Sequence, residues 1–317
     1  MASQSLLRVG DGLESCTMTI QLSTAFNLDG YNVTLIDTPG FDDTMGSDDE
    51  RRSDTEILKL ISTFLSTSYG EGHTLSGVIY LHRISDVKMG GTSRRNFTLF
   101  RKLCGDTTLK NVVILTTMWD TTPPATGALR ENELATKDKF FKPACDLGAQ
   151  IVRFSPRTPT SAHTILRRLI ANKPEVLQVQ DEMVNRNLHF SQTAAGTELG
   201  RELREQAERH SQEISKLEKE IRELAVRDAE TRAELNAERQ RLQGEIKRVE
   251  ADSERMASDF RAHKEAYEKK IAKMEGTQAL TGLAEIGLGL TGLYLESKAR
   301  EDERNRRKRD SDECTVQ

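Results

Sequence analysis

The first half of the chain carries five short apolar runs rich in β-branched residues, each bounded by turn-forming residues. Runs of this length and composition predict β-strands, and they cover residues 16–22, 31–37, 76–82, 111–117 and 149–154. Patterns typical of helices lie between and after them, at 49–66, 92–104, 128–145 and 161–171. Strands that alternate with helices predict an α/β fold with a mostly parallel, Rossmann-like sheet that helices cover on both faces.

The second half of the chain has a different pattern. A short amphipathic stretch and a small-residue break, together 173–196, are predicted to link it to the first half. Residues 197–275 contain no proline and are dense in charged residues, Gln and Ala, which predicts a long helix. Apolar residues recur in it at steps of three and four, as at Ile214, Leu217, Ile221 and Leu224. This spacing favours a coiled coil with a second copy or another partner over a single solvated helix.

Composition and charge narrow the functional classes. With 36% hydrophobic and 30% charged residues, the chain is too polar to be globular throughout, which agrees with a long solvated helix. The formal net charge of -4 comes from nearly balanced acids and bases, so no overall field favours nucleic acid. The four cysteines lack paired spacing, and residues 1–10 contain no apolar signal-peptide core. We therefore expect a cytoplasmic chain.

The stretch VTLIDTPGFDD, residues 33–43, carries the first candidate chemistry. A predicted buried strand ends here in Asp37-Thr38-Pro39-Gly40, the DxxG pattern of GTPases. An aspartate at the carboxyl end of a strand can hold Mg²⁺ through water, and a glycine lets a backbone N–H approach the terminal phosphate. Asp and Gly are also ordinary turn residues, so the assignment of Asp37 and Gly40 depends on a second GTPase motif at the right distance along the chain.

Such a motif lies about eighty residues later. The predicted strand NVVILTT ends in Thr117-Met118-Trp119-Asp120, at the place where GTPases carry the guanine-reading pattern [NT]KxD. The Asp120 carboxylate would accept two hydrogen bonds from the guanine edge that adenine cannot donate. Met118 replaces the usual lysine, which keeps an aliphatic surface for the purine but removes the ammonium group. Guanine is therefore favoured over adenine, although the preference is weakened.

A threonine ahead of these motifs completes the candidate metal site. Thr17 precedes the predicted strand pair and the DTPG turn, which is the order of the switch threonine whose hydroxyl coordinates Mg²⁺ when a γ-phosphate is present. Thr17 and Asp37 are thus the candidate Mg²⁺ residues, and Asp37, Gly40, Thr117 and Asp120 the candidate GTP residues. His82 also ends a predicted strand, where a structural role is the commoner one.

Taken together, GLESCT, VTLIDTPGFDDT, IYLHRISD, FRKLCG and TTMWD resemble the GIMAP and Toc group of septin-like GTPases. The resemblance covers residues 5–172 and is strongest to fungal G-domain proteins with C-terminal coiled coils. It implies a P-loop GTPase fold, GTP and Mg²⁺ as ligands, and dimerisation or polymerisation through the G domain. The positions carried over are Thr17, Asp37, Gly40 and Asp120.

The sequence differs from this group in one major feature, the phosphate-binding loop. Its domains begin with a strand, the loop G-x-x-x-x-G-K-[ST] and a helix, and that motif is absent from this sequence. In the order of the family the chain starts just after that helix, so residues 1–172 are predicted to form a truncated G domain that lacks a central strand. Nucleotide affinity is then expected to fall by orders of magnitude. Phe41 stands where Ras-like GTPases place a water-orienting glutamine, so GTP hydrolysis is expected to be weak or absent.

The C-terminal region, 276–317, combines three signals. Residues 279–295 form an apolar, glycine-rich stretch interrupted by Glu285, which favours a packed hairpin or interfacial segment over a membrane span. A basic run at 304–309 comes next. The last four residues, Cys314 to Gln317, match the C-a-a-X prenylation pattern. Cys314 is therefore a candidate lipidation site, and a lipid with adjacent basic residues would attach the chain to a membrane.

These patterns support two functional hypotheses. The first is a GTP-binding switch or assembly factor, in which bound nucleotide orders the segments at Thr17 and Asp37. The second is a remnant G domain that no longer binds nucleotide and acts as a coiled-coil scaffold, with attachment to a membrane through its C-terminus. The two motifs at Asp37 and Asp120 favour the first, and the missing phosphate-binding loop favours the second.

Overall fold

The structure is a computed structural model that describes residues 17, 19–41, 53–223, 229–257, 267–269 and 271–272. The chain divides into two compact units, Met1–Glu268 and Lys269–Gln317. All the elements given below belong to the first unit. In the second unit the described residues, 269 and 271–272, are helical.

The first strands of the chain form an antiparallel hairpin. β1 (Gln21–Leu22) pairs with β4 (Ile36–Asp37), and β2 (Phe26–Leu28) pairs with β3 (Tyr31–Val33). The turn between β2 and β3 is Asp29-Gly30, whose φ angles of 54° and 88° are those of a two-residue hairpin turn with both residues left-handed.

A bulge interrupts the hairpin between its two paired stretches. The register changes from Leu22 opposite Ile36 to Phe26 opposite Val33, so the first arm holds one residue more than the second. Ser23 bridges the irregularity, because its N–H donates to the Leu35 carbonyl at 2.8 Å and its hydroxyl accepts from the Leu35 N–H at 2.8 Å. The hairpin is therefore one continuous unit that ends at Asp37.

The central element is a three-stranded parallel sheet with the order β5-β6-β7. Its strands are β5 (Val78–Arg83), β6 (Val112–Thr117) and β7 (Gln150–Arg153). Val78 lies opposite Val112, and Val113 opposite Gln150. The prediction of a mixed α/β fold with a parallel sheet is confirmed. Within the described residues the hairpin is not hydrogen-bonded to this sheet, and β5 pairs only with β6.

Helices cover both faces of the parallel sheet. One face packs against α2 (Gly91–Cys104), α3 (Pro124–Thr136) and α4 (Lys142–Cys145). The core on this side is rich in aromatic residues, and among its members are Tyr80, Phe97, Phe100 and Phe141. On the other face, Val113 and Leu115 pack against Ile165 and Leu169 of α5 (Pro159–Ile170). The predicted single helix at 128–145 is instead the two helices α3 and α4.

The hairpin joins the rest of the fold through α5. Leu28 and Val33 pack against Leu166, with Ile79 of β5 at the edge of the same cluster. At the hairpin tip the Arg167 guanidinium donates to both carboxylate oxygens of Asp29, at 2.6 and 3.0 Å. This pair is exposed, so its contribution to stability is small, and the apolar cluster holds the hairpin in place.

The first helix, α1 (Asp54–Gly70), is buried on nearly every side. It begins with a capping box, in which the Ser53 hydroxyl accepts from the Glu56 N–H and the Glu56 carboxylate accepts from the Ser53 N–H. Because residues on all sides of α1 are buried, polar ones among them, other elements must enclose it. α1 packs against α6 (Gln178–Gln180), the π-helical turn Asp181–Asn185 that comes after it, and the long helix Ala229–Ala257.

The C-terminal part of this unit consists of two long helices, α7 (Ala194–Glu223) and α8 (Ala229–Ala257). They pack against each other along their length. Gly200 lies against Met256, and Glu213 interacts electrostatically with Arg241, so the helices run in opposite directions. In place of the single helix expected over 197–275, the chain reverses and buries part of its own apolar stripe, with Leu242 and Val249 buried and Ile214, Leu217 and Ile221 half-buried.

Both long helices also contact the α/β part of the fold. The Arg95 guanidinium of α2 donates to the Glu202 carboxylate of α7 at 2.8 Å. From α1, the buried Lys59 ammonium donates to the Arg255 carbonyl of α8 at 2.6 Å. No helix among the described residues is both long and apolar enough to cross a membrane. The apolar segment 279–295 and Cys314 lie outside the described residues.

Candidate functional site

The two candidate Mg²⁺ residues lie side by side. Asp37 ends β4, where its backbone is paired with Gln21 across the hairpin. The Thr17 hydroxyl donates a hydrogen bond of 3.0 Å to the Asp37 carboxylate, although the two residues are twenty positions apart. The hairpin therefore brings a hydroxyl oxygen and a carboxylate oxygen to one place, and both are of the type that Mg²⁺ prefers.

In the turn after β4, buried and exposed residues alternate. Pro39 is buried, whereas Thr38 and Gly40 on either side of it are exposed. Gly40 thus lies at the surface, next to the end of the strand that carries Asp37. The described part of this segment ends at Phe41 and resumes at Ser53.

The second motif forms a tight turn after the central strand of the parallel sheet. β6 ends at Thr117, and Met118 adopts a left-handed φ of 61° that reverses the chain. The hydroxyls of Thr121 and Thr122 both donate to the Met118 carbonyl at 3.1 Å. Asp120 lies exposed at this turn. Among the described residues its carboxylate has no hydrogen bond or ion pair, so both oxygens can accept from a ligand.

Trp119 anchors this turn to the body of the protein. Its indole N–H donates to the Thr116 hydroxyl at 3.0 Å and to the Thr116 carbonyl at 3.2 Å. The Arg153 guanidinium, at the end of β7, stacks 4.3 Å from the centre of the indole ring. Glu131 of α3 holds that guanidinium, accepting from its Nε with both carboxylate oxygens at 2.9 Å. The residue beside Asp120 is therefore fixed by three separate elements.

This anchor was not predicted from the sequence. Thr116, Glu131 and Arg153 belong to three different elements, and no spacing pattern joins them. The one available signal is Trp119 itself, the only tryptophan in the chain, because large aromatic side chains in a turn normally pack against something. The pattern TMWD identifies the turn, and the folded chain supplies the residues that hold it.

The two halves of the candidate site lie on different sheets. Asp37 ends the antiparallel hairpin and Thr17 precedes its first strand, whereas Thr117 and Asp120 come at the end of the central parallel strand. Within the described residues no hydrogen bond or ion pair connects the two pairs. The Thr117 hydroxyl instead reaches the His82 carbonyl of β5 at 3.4 Å. The structure therefore brings together the residues within each half and leaves the halves separate.

His82 faces the core. Its side chain is buried and packs edge-on against Phe141, with 5.3 Å between the ring centres. Burial lowers the pKa of His82 below its usual value, an effect that exceeds the opposing influence of Asp86. Burial against an aromatic ring fits the structural role that is commoner for a histidine at a strand end.

No family model matches this chain, and no curated protein matches it. The geometry of the described residues and the motifs of the sequence are therefore what a functional proposal must be built on.

Proposed function

We propose that this chain is a guanine-nucleotide-binding protein of the GIMAP and septin-like type. Asp120 and Thr117 would bind the base, and Thr17, Asp37 and Gly40 would face Mg²⁺ and the phosphates. The observation that carries the proposal is the free Asp120 carboxylate in a fixed turn at the carboxyl end of the central parallel strand. Ligands of open α/β sheets bind at this end of the strands.

Asp120 offers the chemistry that distinguishes guanine from adenine. The Watson–Crick edge of guanine presents two neighbouring N–H donors, and a carboxylate can accept from both. Hydrogen bonds to a charged group contribute about 1.5–3 kcal/mol each. Adenine would leave those oxygens unpaired, so the preference for guanine should exceed tenfold. The anchored Trp119 limits the conformational entropy lost when Asp120 is engaged.

The metal half of the proposed site fits Mg²⁺ in donor type. Mg²⁺ takes six oxygen ligands and keeps several waters, with one or two from protein side chains and the rest from phosphates. The hydroxyl of Thr17 and the carboxylate of Asp37 supply two such oxygens, 3.0 Å apart. No group of three or more His, Cys, Asp or Glu side chains suited to a metal occurs within the described ranges, so the site would depend on the nucleotide phosphates.

The sole tryptophan provides a direct test of base recognition. We expect GTP with Mg²⁺ to change the fluorescence of Trp119 in the full chain in a saturable way. ATP should require at least about tenfold more nucleotide for the same change. Asp120→Ala should abolish the difference between the two nucleotides, because neither base then meets a carboxylate. The measurement is a fluorescence titration excited at the red edge of the tryptophan absorption, where nucleotides do not absorb.

Asp146→Ala serves as the matched control for this titration. Asp146 is also an exposed aspartate, paired with Lys142 at 2.8 Å and distant in sequence from the motif, so its removal should leave the preference for GTP intact. Equal responses to GTP and ATP in the unaltered chain would contradict the assignment of Asp120 to the base.

A second candidate function is a scaffold that does not depend on nucleotide. Two observations favour it. The outer edge of β5 is unpaired within the described residues, and Leu81 on that strand exposes 66% of its surface. Unpaired sheet edges are sites of association with other chains. In this alternative the α7–α8 pair and the C-terminus would carry the interactions, including those with a membrane.

A further inference from the structure

A large polar cleft lies away from the candidate nucleotide site. Its walls come from α2, from α7 and from residues 138–143, which lead from the end of α3 into α4, and its volume is about 630 Å³. Neither Thr17, Asp37 nor Asp120 lines it. The cleft is large enough for a small organic or inorganic anion with its first waters.

Positive charge exceeds negative charge in the lining of this cleft. The cations are Arg94, Arg95, Arg101, Lys139 and Arg201, and the carboxylates are Asp138, Glu198, Glu202 and Glu205. Each of these carboxylates already has a cationic partner. Asp138 pairs with Lys142 at 3.0 Å, Glu202 with Arg95 at 2.8 Å, and Glu198 and Glu205 with Arg201. The acidic side chains are thus engaged, and the remaining donors are cationic.

Three of the cationic side chains have N–H groups that do not donate to a carboxylate. In the described part of the chain neither Arg94 nor Lys139 forms an ion pair with a carboxylate, although Lys139 is near enough to Glu133 to help lower its pKa. The Nε of Arg94 reaches only the Gly90 carbonyl, at 3.4 Å, and the Lys139 ammonium lies 5.0 Å from the centre of the Phe140 ring. The Nε of Arg101 is buried without a hydrogen-bond partner, although the Nη2 of the same side chain reaches Asp106 at 3.2 Å.

The N-terminus of α2 also favours the binding of an anion in the cleft. Its N-cap is Gly90, which provides no side-chain hydrogen bond, and Gly91 at the first helical position lines the cleft. The first N–H groups of a helix point outward and carry partial positive charge, so they favour anions. Burial raises the pKa of Glu202 despite its ion pair with Arg95. Water is therefore partly excluded from this wall, which strengthens charge interactions.

We propose that this cleft binds a small multivalent phosphate anion, with Arg94 and Lys139 as its donors and the Arg101 guanidinium as an adjacent positive charge. A phosphate group offers several charged acceptors in different directions, which matches donors that come from separate elements. This site is independent of the proposed nucleotide site, because it requires neither a base nor Mg²⁺ and uses none of the same residues.

Inorganic pyrophosphate is the probe that tests this proposal. In calorimetric titrations of the full chain without Mg²⁺, we expect saturable binding at one site. Arg94→Gln combined with Lys139→Gln should weaken it by about tenfold or more, because two charge-assisted hydrogen bonds are lost. Arg101→Gln should also weaken binding, since it removes a positive charge from the lining of the cleft. Both substituted positions in the double variant are on the surface, so folding should be unaffected.

Two controls separate this site from the rest of the molecule. Arg157→Gln removes an exposed arginine outside the cleft and should leave pyrophosphate binding unchanged. Asp120→Ala should also leave it unchanged, although the same variant disrupts the proposed nucleotide site. Absence of pyrophosphate binding by the unaltered chain, or equal binding by the Arg94→Gln, Lys139→Gln double variant, would overturn the proposal.

Discussion

Phe141→Ala is expected to lower the free energy of unfolding by about 3–5 kcal/mol, the range for removal of a buried phenylalanine. The Phe141 side chain is fully buried at the centre of an aromatic cluster. Its ring centre lies 4.5 Å from that of Phe97 and 6.0 Å from that of Tyr80. Truncation would leave a cavity that these rings cannot fill without leaving their positions on α2 and β5. The measurement is unfolding in guanidinium chloride.

A matched variant distinguishes this loss from a general effect of substitution. Leu129 exposes 69% of its surface on α3, so Leu129→Ala should change stability by less than about 0.5 kcal/mol. A domain stable by about 5–15 kcal/mol would lose a large part of its stability in the first variant and none of note in the second. Equal stability of Phe141→Ala and Leu129→Ala would show that the aromatic cluster is not the core.

Gly196→Ala is expected to destabilise the start of α7. A Cβ atom at this position would lie 2.0 Å from the Phe190 carbonyl oxygen and 3.0 Å from the Ser191 Cα. Both are backbone atoms, so the preceding turn would have to move. Overpacking of this kind costs about 1–3 kcal/mol and sometimes more, which exceeds the gain of about 1 kcal/mol that alanine brings to a helix.

The displaced turn also caps the helix. The Gly196 N–H donates to the Thr193 hydroxyl at 3.1 Å, and the Ala194 N–H donates to the buried Glu182 carboxylate at 3.0 Å. A shift of the turn would weaken both bonds and loosen the attachment of α7 to α2. Thermal unfolding followed by circular dichroism measures the loss.

Gly244→Ala, on α8, is expected to stabilise the protein, in contrast to Gly196→Ala. Nothing lies within 4 Å of the position that its Cβ would occupy, so only the helix propensity changes. Stability should therefore rise by about 0.8–1 kcal/mol. If Gly196→Ala were as stable as the unaltered chain while Gly244→Ala was stabilised, the close approach of Gly196 to the Phe190 carbonyl would be refuted.

The parallel sheet was predictable because its strands are continuous apolar runs. The predicted strands 76–82, 111–117 and 149–154 differ from β5, β6 and β7 by at most two residues at either end. A strand that is buried on both faces needs apolar residues at every position, and few other elements share that pattern. The helix predicted at 92–104 likewise agrees with α2.

The hairpin was only partly predicted, although its signal is in the sequence. The segment FNLDGYNV holds Asp-Gly between two short strands, which is the strongest local signal of a tight hairpin. The predicted strand 16–22 is longer than β1, the predicted strand 31–37 joins β3 and β4 into one, and β2 was omitted. The bulge at Ser23 could not be anticipated, because it depends on hydrogen bonds between Ser23 and Leu35 across the two arms.

The long helices show what apolar spacing in a sequence cannot predict. Their apolar spacing correctly indicates a surface that must be buried, but spacing does not identify the partner helix. In the folded chain α7 packs against α8 and α2, and α8 packs against α7 and α1. The candidate site was also predicted only in part. The order of motifs predicts Thr17 beside Asp37. The contacts of Arg153 and Glu131 that anchor Trp119 arise only from the tertiary fold.

Calorimetric titration of the full chain with GTPγS in the presence of Mg²⁺ tests the central claim most directly. The proposed function predicts a saturable heat that is lost in Asp120→Ala and retained in Asp146→Ala. The absence of any binding heat at every attainable nucleotide concentration would contradict it, and the scaffold would then be the function that the fold supports.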